Sequence, residues 1–304
     1  MRLASIDLGT NSLIMTIADM DNGVMTLVKE KIKIIRLGQA LEPGSRLHPE
    51  AKERCITALR HFSEEMEHLD VDTVVAAGTA ALRNASDGQE FADEVKDQLG
   101  IPLKVITGDD EARLTFKAIQ HDFTHLGDSF VMIDIGGGST ELVMGDLNRI
   151  TSQVSLDAGT VSFTERFVEH DPPTLMELQS ASQTLTEMMD AYRLTSTDNI
   201  VIGVAGTVTT LKAVELEIDT YDHWLIHGTT LSREEVLRLE KLFVSMPTAE
   251  RMKLKGLPPE RADIIPMGAV ILDSIMDRVQ QQSITISDRG LRWGLLYERV
   301  ERDG

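Results

Sequence analysis

Cysteine is nearly absent. Cys55 stands alone among 304 residues, which excludes an internal disulfide and a cysteine-rich metal site. It falls on the apolar stripe of an expected helix, where core packing is its role. Aromatic residues are also scarce, at 4%, and no basic run interleaves with them. Together with a net charge of −19, these shortages argue against nucleic acid as a partner. No stretch approaches the roughly 20 apolar residues that a membrane span needs, and no basic amphipathic helix marks a membrane surface. Met1-Arg2-Leu3 run directly into the first strand, without the regions of a signal peptide, so the chain is expected to stay in the cytoplasm. The same acidity opposes any polyanionic substrate. Attraction would have to be local, from a few arginines, backbone amides and a divalent cation.

What is present is a repeat. Asp7-Leu8-Gly9-Thr10-Asn11-Ser12 and Asp134-Ile135-Gly136-Gly137-Gly138-Ser139-Thr140-Glu141 are glycine-rich turns headed by an acidic residue, one near the start of the chain and one near its middle. Each follows an apolar run that reads as a buried strand, Leu3–Ile6 and Phe130–Ile133. A second pair follows, Gly78-Thr79 and Gly206-Thr207. The interval from Asp7 to Gly78 nearly equals that from Asp134 to Gly206. Single glycines close tight turns without further meaning. Four turns at matched spacing point instead to two related halves whose amides converge on phosphate, with a carboxylate beside them for a metal or water.

The local patterns agree with that division. Ser5–Leu8, Leu13–Asp19 and Val24–Lys33 read as a β-meander, with Asp21-Asn22-Gly23 as a hairpin turn. Ala51, Cys55, Leu59, Phe62, Met66 and Leu69 form one stripe of a helix from Pro49 to about Leu69. A strand over 73–77, a helix from Gly88 to Leu99, a strand over Leu103–Ile106 and a helix from Gly108 complete the first half. In the second half, strands are expected over Phe130–Ile133, Glu141–Gly145, Arg149–Ala158 and Ser283–Ile286. Helices are expected over Thr174–Tyr192, Val208–Leu216, Leu231–Ser245 and Arg261–Val279, and after Asp288-Arg289-Gly290. Ser232 and Glu235 are placed for a capping box. Alternating strands and helices give an α/β fold with mixed sheets, in domains of 1–124 and 125–304. The terminal helix, about 290–304, is able to pack back on the first domain.

Phosphoanhydride hydrolysis needs a held phosphate, charge neutralisation and a base for water. Asp7, Gly9, Thr10, Asn11, Ser12 and Thr79 can hold phosphate oxygens from one half, and Gly136, Gly137, Gly138, Ser139, Gly206 and Thr207 from the other. Arg83, one turn into the helix after Gly78, suits a phosphate clamp, and Arg113 lies further along. Acidic residues at a helix start cap free amides, which accounts for Asp109 and Asp110. Glu111, just before the crossover between halves, is placed to act as a general base. Asp134 and Glu141 make a carboxylate pair suited to Mg²⁺ or another divalent cation, which takes one or two carboxylates plus phosphate. His121-Asp122 reads as surface, His223 and His227 as structural, and the methionines as core filler.

Together these residues resemble the exopolyphosphatase / guanosine pentaphosphate phosphohydrolase (Ppx/GppA) family, within the actin-like, sugar-kinase and Hsp70-like ATPase superfamily. The resemblance runs through Ser5–Ser12, Gly78–Arg83, Asp110–Leu114, Asp134–Val143, Ala205–Leu211, Arg261–Ala269 and Gly290–Arg292. It implies two ribonuclease H-like domains with the active site in the cleft between them. It also implies Glu111 as catalytic base, Asp134 and Glu141 acting through Mg²⁺, and the glycine turns and Arg83 on phosphate. Inorganic polyphosphate and the 5′-triphosphate of pppGpp are the implied substrates, and a homodimer rests on the resemblance alone. Asp110 stands where many members have Glu, and Trp293 where an acidic residue is usual. Two other classes stay open. An actin-like ATPase or sugar kinase would form ADP from ATP, though the Gly206 turn is short for an adenosine loop. A non-catalytic polyphosphate or alarmone sensor would bind without releasing phosphate, and intact Glu111, Asp134 and Glu141 speak against it.

Overall fold

Asn22 and Gly23 both take positive φ, 49° and 81°, the two-residue turn that an Asn-Gly pair favours between antiparallel strands. They join β2 (Ser12–Asp21) to β3 (Val24–Ile34), and β2 pairs in turn with β1 (Arg2–Leu8). The computed structural model describes residues 1–192 and 199–303. These divide into one unit of residues 1–118 with 291–304, and a second of residues 119–290.

The first unit continues with α1 (Pro49–His68), β4 (Thr73–Gly78), α2 (Ala80–Asn84), α3 (Gly88–Leu99), β5 (Leu103–Val105) and α4 (Gly108–Asp122), whose last residues enter the second unit. Its sheet has the order β3-β2-β1-β4-β5, with β1, β4 and β5 parallel. The stripe expected on α1 is the buried one: Ala51, Cys55, Leu59, Phe62 and Met66 join the core under the sheet. Burial pushes the Cys55 thiol up to about 12, so it packs as a small apolar group. Proline opens α1 at its first turn, and Gly100 closes α3 in the left-handed conformation, the usual chemistry of helix starts and stops.

The second unit contains β6 (Ser129–Ile135), β7 (Thr140–Asp146), β8 (Ile150–Leu156), α5 (Thr160–Phe167), α6 (Leu175–Ala191), β9 (Ile200–Val204), α7 (Ala205–Glu215), β10 (Thr230–Ser232), α8 (Arg233–Val244), α9 (Thr248–Arg251), α10 (Ile265–Arg278) and β11 (Ser283–Ile286). Its sheet reads β8-β7-β6-β9-β11-β10. The first five strands repeat the order and directions of the first sheet, including parallel β6, β9 and β11. Both sheets therefore have the mixed character that the alternation of elements predicts, in the ribonuclease H-like order that the resemblance implies. Ser232 caps α8 as expected, accepting the Glu235 amide. The Glu235 carboxylate turns to Arg238 instead of closing a capping box. The full box occurs at α6, where Thr174 and Glu177 satisfy each other's amides, worth about 1 kcal/mol. Among the described residues no helix is long and apolar enough to cross a membrane.

The last helix, α11 (Leu291–Asp303), belongs to the first unit. Trp293 is 2% exposed and clusters with Ala118 and Tyr297, so the residue that departs from the acidic pattern serves the core. Glu298 receives Lys117 at 2.5 Å, Arg302 at 2.7 Å and Arg113 at 3.3 Å. Burial alone would raise its carboxyl, but these three cations bring it down to about 2, from an ordinary 4.5. A carboxyl lowered by folding stabilises above its ordinary value and loses that contribution as pH falls toward the folded one. Glu298→Gln is therefore expected to lower the melting temperature by several degrees at pH 7. The gap from wild type should close between pH 4.5 and about 2, as thermal melts across that range would read. A gap independent of pH would remove the ion cluster as its cause.

Candidate functional site

In the first unit, parallel pairing sets Asp7 beside Ala77 and Leu8 beside Gly78. The turns that follow both strands thus leave the same sheet edge. The Gly9 amide donates to Ser12 O at 2.9 Å, closing the first turn. Thr10 and Asn11 are 7% and 6% exposed, yet Thr10 Oγ1 and Asn11 Nδ2 have no hydrogen-bond partner among the described residues. Leaving such atoms unpaired costs about 1–3 kcal/mol each, which an oxyanion would recover. Asp7 is half-buried at the head of this turn. The Thr79 hydroxyl donates to Leu8 O at 3.5 Å and its amide to the same oxygen at 3.0 Å, tying the second turn to the first.

Arg83 projects from α2, and its Nη1 donates to Glu111 Oε2 at 3.0 Å and to Ile106 O at 3.2 Å. The guanidinium and carboxylate are 22% and 12% exposed. The guanidinium so placed fixes the orientation of the carboxylate, as a general base requires. The capping expected of Asp110 falls to Thr107, whose Oγ1 accepts the Asp110 amide at 3.1 Å and donates to the Asp110 carboxylate at 3.0 Å. Arg113 is drawn to Glu298 and Asp110, away from Arg83.

In the second unit the geometry repeats. The Gly136 amide donates to Ser139 O at 2.9 Å, and the Thr207 hydroxyl donates to Ile135 O at 2.9 Å. Thr207 is 3% exposed and Ser139 2% exposed. The turn is backed by α5: the amides of Thr160 and Val161 donate to the carbonyls of Gly136 and Gly137, and Ser162 Oγ to Gly138 O. With these carbonyls committed to α5, the donors left for a ligand are the amides, as an anion site demands.

Register then separates the halves. Asp134 stands directly opposite Glu141 on adjacent strands, whereas Asp7 stands opposite Ile14. Cross-strand partners share a face with Cβ atoms about 5 Å apart. Asp134 is 7% exposed and Glu141 1% exposed, so two ionised carboxylates here would repel one another. Ser155 Oγ donates to Glu141 Oε1 at 2.7 Å, fixing one oxygen. Among the described residues no cluster of three or more His, Cys, Asp or Glu could hold a metal. Two carboxylates without a complete protein cage fit a hard divalent cation that also takes phosphate oxygens.

Three features escaped sequence reasoning. Ser155 has no local signature, because only the β7–β8 register brings it to Glu141. The Arg261 guanidinium lies against Gly206, where a Cβ would meet its Nη1 at 2.1 Å, and burial lowers its pKa. Helix α7 begins at Ala205, not at Val208, with Ala205 at φ 70°, so Gly206 and Thr207 lie in its first turn. Of His121-Asp122, His121 is exposed as expected, but the reading of Asp122 is corrected. The Asp122 side chain is 6% exposed and pairs with Arg289 at 2.8 Å, which removes it from the surface. His227 is structural, accepting the Asp288 amide.

The profile of the Ppx/GppA phosphatase family matches residues 16–303. Exopolyphosphatase 2 of Mycobacterium tuberculosis is 32% identical over 310 residues, covering 97% of this chain and 97% of that protein. Guanosine-5′-triphosphate,3′-diphosphate pyrophosphatase of Vibrio cholerae is 31% identical over 98% of this chain, which spans 59% of that protein. The crystal structure of the Ppx/GppA family member of Aquifex aeolicus superposes with a TM-score of 0.85 at 30% identity, over 100% of this chain and 99% of that one.

A Cβ at Gly159 would lie 2.3 Å from Gly137 C and O and 2.4 Å from Gly138 N, so the turn rests on bare backbone there. Gly159→Ala is expected to displace it and to cost about 1–3 kcal/mol, visible as a melting temperature lower by several degrees. An unchanged melt would mean that the turn stands clear of α5.

Proposed function

Because the chain belongs to the Ppx/GppA phosphatase family, we propose that it is an exopolyphosphatase. It hydrolyses the terminal phosphoanhydride of inorganic polyphosphate to release orthophosphate, and removes the 5′-terminal phosphate of pppGpp as a second reaction. The carrying observation is the buried Asp134–Glu141 pair at the end of the Gly136–Ser139 turn. Polyphosphate stands first because the exopolyphosphatase relative is matched over 97% of its length, the pyrophosphatase over 59%. A single, buried cysteine suits the reducing cytoplasm, where we place the enzyme, as a homodimer.

In this reading the amides of Gly137, Gly138 and Ser139 bind the terminal phosphate, with Gly136 closing the turn, and the Asp7–Ser12 turn holds the chain behind it. Thr79 and Thr207 fasten each pair of turns. Glu111 takes a proton from water as its oxygen attacks the terminal phosphorus. The bridging P–O bond breaks, and the shortened chain leaves with the negative charge on that oxygen. Arg83 orients Glu111 through Nη1 and offers its other N–H groups to phosphate oxygens. Asp134 and Glu141 would hold Mg²⁺, which when bound draws charge from the phosphate oxygens.

Glu111→Gln is expected to lower kcat for phosphate release by about 10²–10⁴ while the far-ultraviolet circular dichroism stays that of wild type. A near-normal kcat would take the base away from Glu111. Binding of Mg²⁺ at 10-fold its dissociation constant should stabilise the protein by about 1.4 kcal/mol, a melt higher by a few degrees. Glu141→Gln should abolish that rise, and a rise that persists would put the cation elsewhere.

A further inference from the structure

Three adjacent strands of the second unit set Asp134, Glu141 and Ser155 in one cross-strand row, Asp134 opposite Glu141 and Glu141 opposite Ser155. Residues in such a row share a face of the sheet. The first unit holds the same row as Asp7, Ile14 and Ile32. Against that internal reference two positions differ together: where the first unit has two isoleucines, the second has a carboxylate and a hydroxyl. Ser155 Oγ donates to Glu141 Oε1 at 2.7 Å, the length of a charge-assisted hydrogen bond. Glu141 is 1% exposed, so bulk water has little access to its carboxylate and a donor must come from the protein.

The segment that carries Ser155 is itself restrained. The next residue, Leu156, pairs with Thr140, whose Oγ1 donates to Ala158 O at 2.5 Å. Beyond Gly159 the chain enters α5, where the amides of Thr160 and Val161 reach the Gly136 and Gly137 carbonyls at 3.0 and 2.8 Å. Residues 155–162 thus grip the Glu141 carboxylate at one end and the glycine turn at the other. A hydroxyl on so fixed a segment holds a carboxylate in one orientation. Packing alone is met in the first unit by isoleucine at both positions. A buried carboxylate with its own donor is what a cation site requires, because the partners of a metal ligand set its orientation.

We infer that Ser155 is a positioning residue, whose hydroxyl holds the Glu141 carboxylate in the orientation that receives a divalent cation beside the glycine turn. This rests on the reading of Asp134 and Glu141 as the cation pair.

The test uses Mn²⁺, which suits the same oxygen ligands as Mg²⁺. It is titrated into the metal-free protein without substrate, and the unbound ion is read from its electron paramagnetic resonance. Ser155→Thr and Ser155→Val form a matched pair, alike in shape and different in the hydroxyl, and both suit a strand. The Kd should weaken about 10–100-fold in Ser155→Val, the usual effect of removing the partner of a metal ligand, and stay near the wild-type value in Ser155→Thr. At saturating Mn²⁺, Ser155→Val should recover the wild-type kcat for phosphate release, with KM for polyphosphate unchanged. An unchanged Kd in Ser155→Val overturns the inference even if that variant melts at a lower temperature, since Ser155 would then only satisfy a buried carboxylate. Equal weakening in both variants also overturns it, by tracing the effect to side-chain shape. So does a loss of kcat that persists at saturating Mn²⁺. Because the titration needs no substrate, it stands apart from the proposed activity. Wild type that binds Mn²⁺ yet releases no phosphate refutes the exopolyphosphatase reading and leaves the Thr/Val comparison decisive. Mn²⁺ binding that is the same in wild type and Glu141→Gln refutes the cation pair, and the role of Ser155 with it.

Discussion

Parallel pairing of β1 with β4, and of β6 with β9, is the constraint on which the rest of this structure depends. Parallel neighbours end at the same sheet edge, so the turns that follow them must emerge side by side. That places the Asp7 turn next to Gly78-Thr79, and the Asp134 turn next to Gly206-Thr207. In each unit the threonine hydroxyl then reaches back to the carbonyl of the residue after the aspartate, Leu8 or Ile135. Amides of tight turns that join neither a strand nor a helix ladder are the kind of donor an anion site uses.

On this common frame the two units diverge through single positions. Opposite the strand aspartate the first unit has Ile14 and the second Glu141. The residue opposite Asp7 is thus apolar, whereas the residue opposite Asp134 is a second, buried carboxylate. The first unit in turn has Arg83 within hydrogen-bonding distance of Glu111. The two units thus share the paired turns, and differ in a carboxylate pair on one side and an arginine–glutamate pair on the other.

Legibility followed the range of the interactions concerned. The Asn22-Gly23 turn, the stripe on α1 and the Ser232 cap are decided by neighbours within a few residues, and the residues themselves announce them. Helix α5, only eight residues long, has its first amides taken by the Gly136 and Gly137 carbonyls, and its own pattern is too short to be seen. Glu235 was drawn from its cap by Arg238, a competition between two nearby partners that spacing alone does not settle. Trp293 read as a departure within an acidic pattern, and became intelligible only when Ala118 and Tyr297 were seen around it. Asp122 read as surface because its partner, Arg289, lies far along the chain, beyond the reach of any local pattern.

The sequence by itself determined that there are two halves, each with a strand, an acidic-headed glycine turn and a Gly-Thr turn at a matched distance downstream. Turn chemistry and periodicity are local properties of residue type, so they survive without coordinates. It also offered Glu111, Asp134 and Glu141 as candidate carboxylates. Only tertiary structure decided what surrounds them: Arg83 on Glu111, Ser155 on Glu141, and Arg261 over Gly206. Those contacts come from strand register and from segments that meet after long excursions of the chain. Their energies depend on burial and geometry that no residue carries alone.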